Sequence, residues 1–457
     1  MASRSRGWSS TRQLEIANCC ARLGRRGRRL PLASSMSIRD LIPASLRTLP
    51  RDGVLLFVSR FTRLFAYGAL SVILVFYLVS LGLSEAQVGV LLTLTLAGDM
   101  AISLLLTTQA DRIGRRRMLI VGAILMAGAG VAFASTKNLL FLIVAGTIGV
   151  ISPSGHEVGP FLSIEQAALS HVVPARSRTE VFAWYALAGS LATALGAFCG
   201  GAAAGVVQKA SLSTSDSYRV VVLLYAALGV ALAFLFTRLS SSAEADMSAT
   251  TASGVSARDF LGVGRSRSIV LKLSSLFALD SFGGGFVVQS FAAYWFYLRF
   301  GVAPVKLGLI FFWANVLAGI SALLASRLAT RIGLVRTMVV THLPSNVLLI
   351  LVPLMPNLSL AVLVLLVRFS ISQMDVPTRQ SYIMAVVRPE ERSAAAGITG
   401  VARTIGATIS PLFVGFMFTR PALINVPFFI AGTLKILYDL LLYREFITVR
   451  PPEEVRE

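Results

Sequence analysis

Twelve stretches of this chain are apolar for about 20 residues or more: 53–81, 85–108, 118–136, 138–169, 179–206, 218–238, 270–299, 304–328, 337–354, 358–386, 393–419 and 423–446. A hydrocarbon layer offers no water to backbone amides, so a segment of this length pairs them internally as a helix and crosses the layer. Repeated along nearly the whole chain, the pattern predicts an all-α, multi-pass membrane protein. No sizeable stretch remains for a soluble catalytic domain. Only 14% of the residues are charged and 55% are hydrophobic, whereas soluble domains are roughly a quarter charged.

The spans fall into two sets of six. Between them, residues 239–269 are rich in Ser, Ala and Thr, lack apolar periodicity and read as a linker. The predicted organisation is a disordered cytoplasmic tail over 1–52, a six-helix bundle over 53–238, the linker over 239–269, a second bundle over 270–446 and a short tail over 447–457. A basic turn recurs at matching places in the two halves. Its first copy is Ala110-Asp111-Arg112-Ile113-Gly114-Arg115-Arg116-Arg117, and its second, 219 positions later, is Ala329-Thr330-Arg331-Ile332-Gly333-Leu334-Val335-Arg336. A duplicated turn inside a duplicated set of spans implies two pseudosymmetric bundles with a path between them.

The formal net charge of +20 would suggest nucleic acid in a soluble protein. Here its distribution decides otherwise. With the N-terminus inside, the cytoplasmic segments together with the adjoining span ends hold 30 of the 42 Lys and Arg, and the outer loops with their adjoining span ends hold only Lys137, Lys209, Arg219, Arg299, Lys306 and Arg420. This is the positive-inside pattern: basic charge orients the chain with both termini cytoplasmic, and no nucleic-acid partner is implied. The plasma membrane is the expected location; an arginine-rich start (Arg22, Arg25, Arg26, Arg28, Arg29) keeps an organelle membrane as the alternative, and Met36 is a second possible start. The three cysteines, Cys19, Cys20 and Cys199, exclude a disulfide scaffold and a cysteine metal site.

The first basic turn resembles the signature between the second and third spans of the major facilitator superfamily, a pattern of the form G-x-x-x-D-R-x-G-R-R. Asp111, Arg112, Gly114, Arg115 and Arg116 match it, with Thr107 at the glycine position; the second copy keeps Arg331 and Gly333 and has Thr330 in place of the acid. The resemblance covers about residues 50–446. It implies a fold of twelve helices in two six-helix bundles and a conformational latch at these loops. In that latch Asp111 faces the start of the eleventh span near Ser393, where a carboxylate complements the helix dipole, and Arg115 or Arg116 meets Glu165. Glycine at 114 suits the tight connection on physical grounds alone. Gly196-Ala197-Phe198-Cys199-Gly200-Gly201 looks like a degraded antiporter motif of exporting branches; small residues at this spacing equally serve close helix packing, the reading we favour.

An ionisable side chain at the centre of a span costs about 2.5–3.5 kcal/mol by insertion scales, so each is a functional candidate. They concentrate on four spans. The first carries Arg60 and Arg63 beside Tyr67, the fourth His156, Glu157, Glu165 and His171, the seventh Asp280, and the tenth Arg368, Asp375 and Arg379. The resemblance assigns these four spans to the lining of the central cavity. Spacings of three and four place Arg60, Arg63 and Tyr67 on one helix face; spacings of seven and four do the same for Arg368, Asp375 and Arg379. Pro153, Gly155, Gly159 and Pro160 should break the fourth span around His156 and Glu157, and Gly283, Gly284 and Gly285 weaken the seventh beside Asp280. Asp99, Arg403 and the Lys435/Asp439 pair lie on other spans and read as structural.

No metal cluster, nucleotide-phosphate loop or nucleophile triad emerges, so no cofactor is expected and uphill movement would draw on an ion gradient. The expected function is secondary active transport of a small organic solute by alternating access, proton-coupled, in either direction including export, by a monomer in the lipid bilayer. Burial disfavours the charged form of a carboxylate, which makes Glu157, Asp280 and Asp375 candidates for carrying the proton. The arginines Arg60, Arg63, Arg368 and Arg379 are candidates for holding an anionic group. A facilitative uniporter and a non-transporting sensor with the same fold are the open alternatives.

Overall fold

A computed structural model of the chain describes residues 44–47, 49–157, 159–174, 178–210, 213–240, 243–244, 266–388 and 391–449. Most of the N-terminal tail with Cys19 and Cys20, most of the linker, the tail beyond Val449 and the side chains of Asp111 and Arg112 lie outside the described residues. The chain forms two compact units, 1–48 and 49–457. In the first, a one-turn helix spans Ala44–Arg47.

The second unit is all helix among its described residues. In the first half the helices are α1 (Arg51–Ser80), α2 (Glu85–Ile113), α3 (Arg115–Ser135), α4 (Leu139–Ile148), α5 (Phe161–Val172), α6 (Arg178–Lys209) and α7 (Thr214–Thr237). The second half contains α8 (Arg267–Gly285), α9 (Gln289–Phe300), α10 (Pro304–Ile332), α11 (Leu334–Leu351), α12 (Leu358–Ser372), α13 (Asp375–Val386), α14 (Arg392–Phe418) and α15 (Val426–Phe446). Eleven spans are long and apolar enough to cross a membrane, and α4 with α5 forms the broken fourth span of the first half.

Local sequence explains the starts. Ser84 and Gln87 form a reciprocal capping box before α2. Asn138 accepts from the amides of Leu140 and Phe141 before α4, and Ser213 accepts from Asp216 before α7. The two basic turns need a backbone that L side chains rarely adopt: φ is +115° at Gly114 and +87° at Gly333.

Three spans are interrupted. Between α4 and α5 the chain is irregular, with Gly155 and Gly159 at positive φ, as the proline and glycine content predicts. The seventh span breaks at Phe286–Val288, just past its glycine run. The third interruption corrects the reading of 358–386 as one helix: α12 stops at Ser372 and α13 starts at Asp375. Pro377 supplies the reason, because it has no amide to give the carbonyl of Gln373 and its ring crowds that carbonyl. The amide of Gln373 bonds instead to the Ser321 hydroxyl at 3.3 Å.

Among the described residues, the two bundles share a core at one end only. A continuous apolar core runs from Leu56, Leu119 and Leu169 in the first half to Phe311, Leu365, Val414 and Phe428 in the second. A separate core of Val270, Phe277, Met338, Tyr382, Tyr438 and Phe446 fills the half of the second bundle nearest the basic turns. At the opposite end glycines let helices meet backbone to backbone: Gly89 of α2 against Pro411 and Gly415 of α14, and Gly201 of α6 against Pro304 and Gly308 of α10. Phe76 packs edge-on to Tyr294 and Tyr297 there, and the Tyr294 hydroxyl donates to Glu85. Deeper in, Gln289 donates to the Ser71 hydroxyl at 2.8 Å and accepts from Asn315 at 3.0 Å, while the Ser290 amide donates to the Pro153 carbonyl. No hydrogen bond, ion pair or ring contact among the described residues joins the bundles at the basic-turn end, and a Cβ on Gly397 or Gly400 of α14 would meet open space.

Candidate functional site

Each bundle encloses a cluster of paired charges. In the first, α1 presents Ser59, Arg60, Arg63 and Tyr67 over two helical turns, all buried. The Arg63 guanidinium lies parallel to the Glu165 carboxylate, Nη1 to Oε1 at 2.6 Å and Nη2 to Oε2 at 2.8 Å, a bidentate, charge-assisted pair. Ser59 and Tyr185 donate their hydroxyls to the same carboxylate. Glu157 hangs from the break in the fourth span, 2.7 Å from Arg60 and 3.1 Å from Arg63, with its side chain 18% exposed. The arginines lie over aromatic faces, Arg60 over Tyr185 at 4.4 Å and Arg63 over Phe161 at 4.7 Å, which adds cation–π attraction in a dry site. Two arginines thus face two glutamates, and the cluster is electrically balanced.

Arg63 therefore takes the place expected for Arg115 or Arg116 at Glu165. Glu165 is fully buried and its oxygens are filled by Arg63, Ser59 and Tyr185. The backbone amides of Arg115 and Arg116 receive a different acid, Glu244 of the linker, at 2.6 and 3.2 Å. The positive end of α3 favours an acid there. His156 is exposed, and Tyr67 is buried with its ring stacked 6.2 Å from Tyr225.

The second bundle centres on Asp280 of α8. One of its oxygens receives Lys435 of α15 at 2.6 Å and the other receives Arg379 of α13 at 3.0 Å. Arg379 also lies 3.4 Å from Asp375 on its own helix. Behind this core, Asp439 accepts from Asn346 at 2.9 Å and bonds His342 at 2.8 Å. Arg368 stays out of every ion pair among the described residues, because the break before α13 takes it off the face that Asp375 and Arg379 share; its guanidinium covers Phe369.

Sequence reasoning passed over two of these residues, His342 and Asn346 on the ninth span, and read two others, Lys435 and Asp439 on the twelfth, as structural. A signal existed: both pairs are spaced four apart within otherwise apolar helices, the spacing that puts two polar groups on one inward stripe. Gly114 and Gly333 occupy the two turns, and Arg331 lines a cavity of about 790 Å³ with Arg336, Ser381 and Arg392 at the basic-turn end of the second bundle. That cavity touches none of the paired charges.

Comparison with known proteins agrees with this architecture. The family model of the Major Facilitator Superfamily matches residues 56–411 and 273–457. An uncharacterized membrane protein of Saccharomyces cerevisiae is 32% identical over 425 residues, which is 87% of this chain and 95% of the relative. Among solved structures, a D-xylose-proton symporter superposes with a TM-score of 0.68 at 15% identity, covering 86% of this chain and 97% of its own. A bacterial homolog of the human lysosomal transporter Spinster, inward-facing and unoccupied, gives 0.64 at 15% identity, covering 86% and 94%. By fold and by sequence the chain belongs to the major facilitator superfamily, as a multi-pass membrane transporter and not an enzyme.

Proposed function

We propose that this transporter moves a small organic solute by proton-coupled alternating access, and that its structure is the inward-open state with both termini cytoplasmic. The carrying observation is the asymmetry of the interface: the bundles share a core at one end and none at the end that bears the basic turns. The excess of Lys and Arg in the loops at that end supports a cytoplasmic placement for it. The clusters around Arg63 and Asp280 supply the chemistry. Glu157 is the partly exposed member, held by two arginines; an anionic group on the solute that competes for Arg60 frees Glu157 to take a proton. Asp280 and Asp375 play the corresponding part with Arg379, and Arg368 is a further anchor for the solute. His156 and Tyr67 flank the same path. In the opposite state the latch forms, with Asp111, Arg112, Arg115 and Arg116 closing on the start of α14 and Arg331 and Gly333 in the equivalent turn. Gly196 and Gly200 pack on α1 and Gly201 on α10, so these glycines serve helix contact and carry no argument for export.

Comparing metabolites inside and outside cells with and without the chain identifies the solute. With that solute in proteoliposomes, wild-type protein should acidify or alkalinise the lumen as solute moves, and Glu157→Gln and Asp375→Asn should uncouple the two fluxes. Solute movement with no proton flux in the wild type would overturn the reading in favour of a uniporter.

A further inference from the structure

We propose that Asp99, in the middle of α2, is a proton-binding site of this transporter whose occupancy is coupled to the broken segment of the fourth span; this rests on the proton-coupled reading above. The carboxylates of the paired-charge clusters are committed. Glu157, Glu165, Asp280 and Asp375 each face arginine, and Asp439 faces His342. Asp99 is 6% exposed, takes part in no ion pair among the described residues, and has an oxygen, Oδ1, buried without a hydrogen-bond partner. Burying an ionised carboxylate without a counter-charge is far costlier than burying the acid, so the group neutralises by binding a proton.

Among the described residues no cation forms an ion pair with Asp99. Gly98 packs so tightly on the backbone of Thr147 in α4 that a Cβ would not fit, and α4 contains no charged residue. Thr95, one turn away on the same face, and Thr147 are polar but offer hydroxyls that are themselves unpartnered. From α1 and α7 the titratable groups facing Asp99 are the stacked Tyr67 and Tyr225, and the Tyr225 hydroxyl is taken up by the Val150 carbonyl. On α5, Glu165 is saturated by Arg63, Ser59 and Tyr185; on α14, Arg403 interacts with Arg379, Asp280 and Asp375 and not with Asp99.

The packing of Gly98 on Thr147 brings Asp99 beside the irregular segment between α4 and α5, toward the amide of Gly159. Two residues earlier the same segment carries Glu157, held by Arg60 and Arg63. Amides in this segment are not consumed by a helix, so they are the donors available when Asp99 ionises. Deprotonation then draws the segment toward α2 and shifts Glu157 against its arginines, and protonation releases it. Proton occupancy at Asp99 and the state of the candidate solute site are thereby linked through one short stretch of backbone.

The test needs no solute. Infrared titration of the purified full-length protein should reveal the carbonyl stretch of a protonated carboxylic acid that fades as pH rises. Asp99→Asn should abolish it, Asp99→Glu should restore it at a displaced frequency, and Glu157→Gln and Asp375→Asn should keep it. In a cysteine-free background, the labelling rate of Ser154→Cys, divided by that of a free thiol at the same pH, should change with pH when Asp99 is present and stay constant with Asp99→Asn, so each readout covers the other. A titrating band that persists in Asp99→Asn, or its absence from wild type, overturns the proposal. Failure of the broader reading registers separately, as solute movement without proton flux in wild-type proteoliposomes.

Discussion

At the scale of single residues, Arg63 and Glu165 set the energetics of the first bundle. Their pair is dry and bidentate, and two hydroxyls complete the acid's acceptor sites. Removing one partner of a buried pair leaves an uncompensated charge and costs about 3–5 kcal/mol. Thermal unfolding in detergent should therefore show Arg63→Ala strongly destabilised. Arg63→Lys should recover only part of the loss, since an ammonium cannot bridge two oxygens in parallel. The double change Arg63→Met with Glu165→Leu should be milder than Arg63→Ala, because it leaves no lone ion behind. The residue scale is also where the sequence was most ambiguous: it marked Arg63, Glu157, Glu165, Asp280, Asp375 and Arg379 as costly in a membrane, yet placed Lys435 and Asp439 aside. Partner choice depends on which helices become neighbours, and one-dimensional spacing reports only on a helix's own faces.

The elements that matter most are the interrupted ones. In the fourth span Gly155 has φ of +72°, and a Cβ there would sit 2.9 Å from the Ser71 hydroxyl on α1. Gly155→Ala pays both for the left-handed backbone, about 1–2 kcal/mol, and for displacing Ser71 from Gln289. Lower thermal stability is expected, measured on the detergent-solubilised protein, with a further loss of the contacts that close this end. Breaks at the fourth and seventh spans were legible because prolines and glycines cluster beside Glu157 and Asp280. The tenth was read as continuous although Pro377 was in view. Its mean hydropathy stays high over Leu358–Val386 as a whole, and hydropathy alone does not register a missing amide donor.

For the whole molecule, the testable quantity is the balance between two arrangements of the bundles. A Cβ on Gly415 would lie 2.7 Å from the Cα of Gly89, so Gly415→Leu should wedge the closed end apart. Spin labels at Ile113 and Gly397, near the basic turns, should then move closer, and a label pair across the closed end should separate. Unchanged distances at both ends in Gly415→Leu would contradict rigid rocking of the bundles about a central site. On the proposed assignment of the latch to the opposite state, Asp111→Asn should shift the same distances the other way, toward the present state.

The sequence by itself determined the all-helical membrane fold, its duplication into two bundles and the family, because apolar length, charge placement and turn glycines act locally and are written along the chain. Tertiary structure alone decided that Glu165 is held by Arg63, that Asp280 meets Lys435 and that, among the described residues, Asp99 is left without an ion-pair partner and the bundles meet at one end only. Those outcomes follow from which helix faces come within a few ångströms of one another, and that is fixed by packing between segments far apart in the chain.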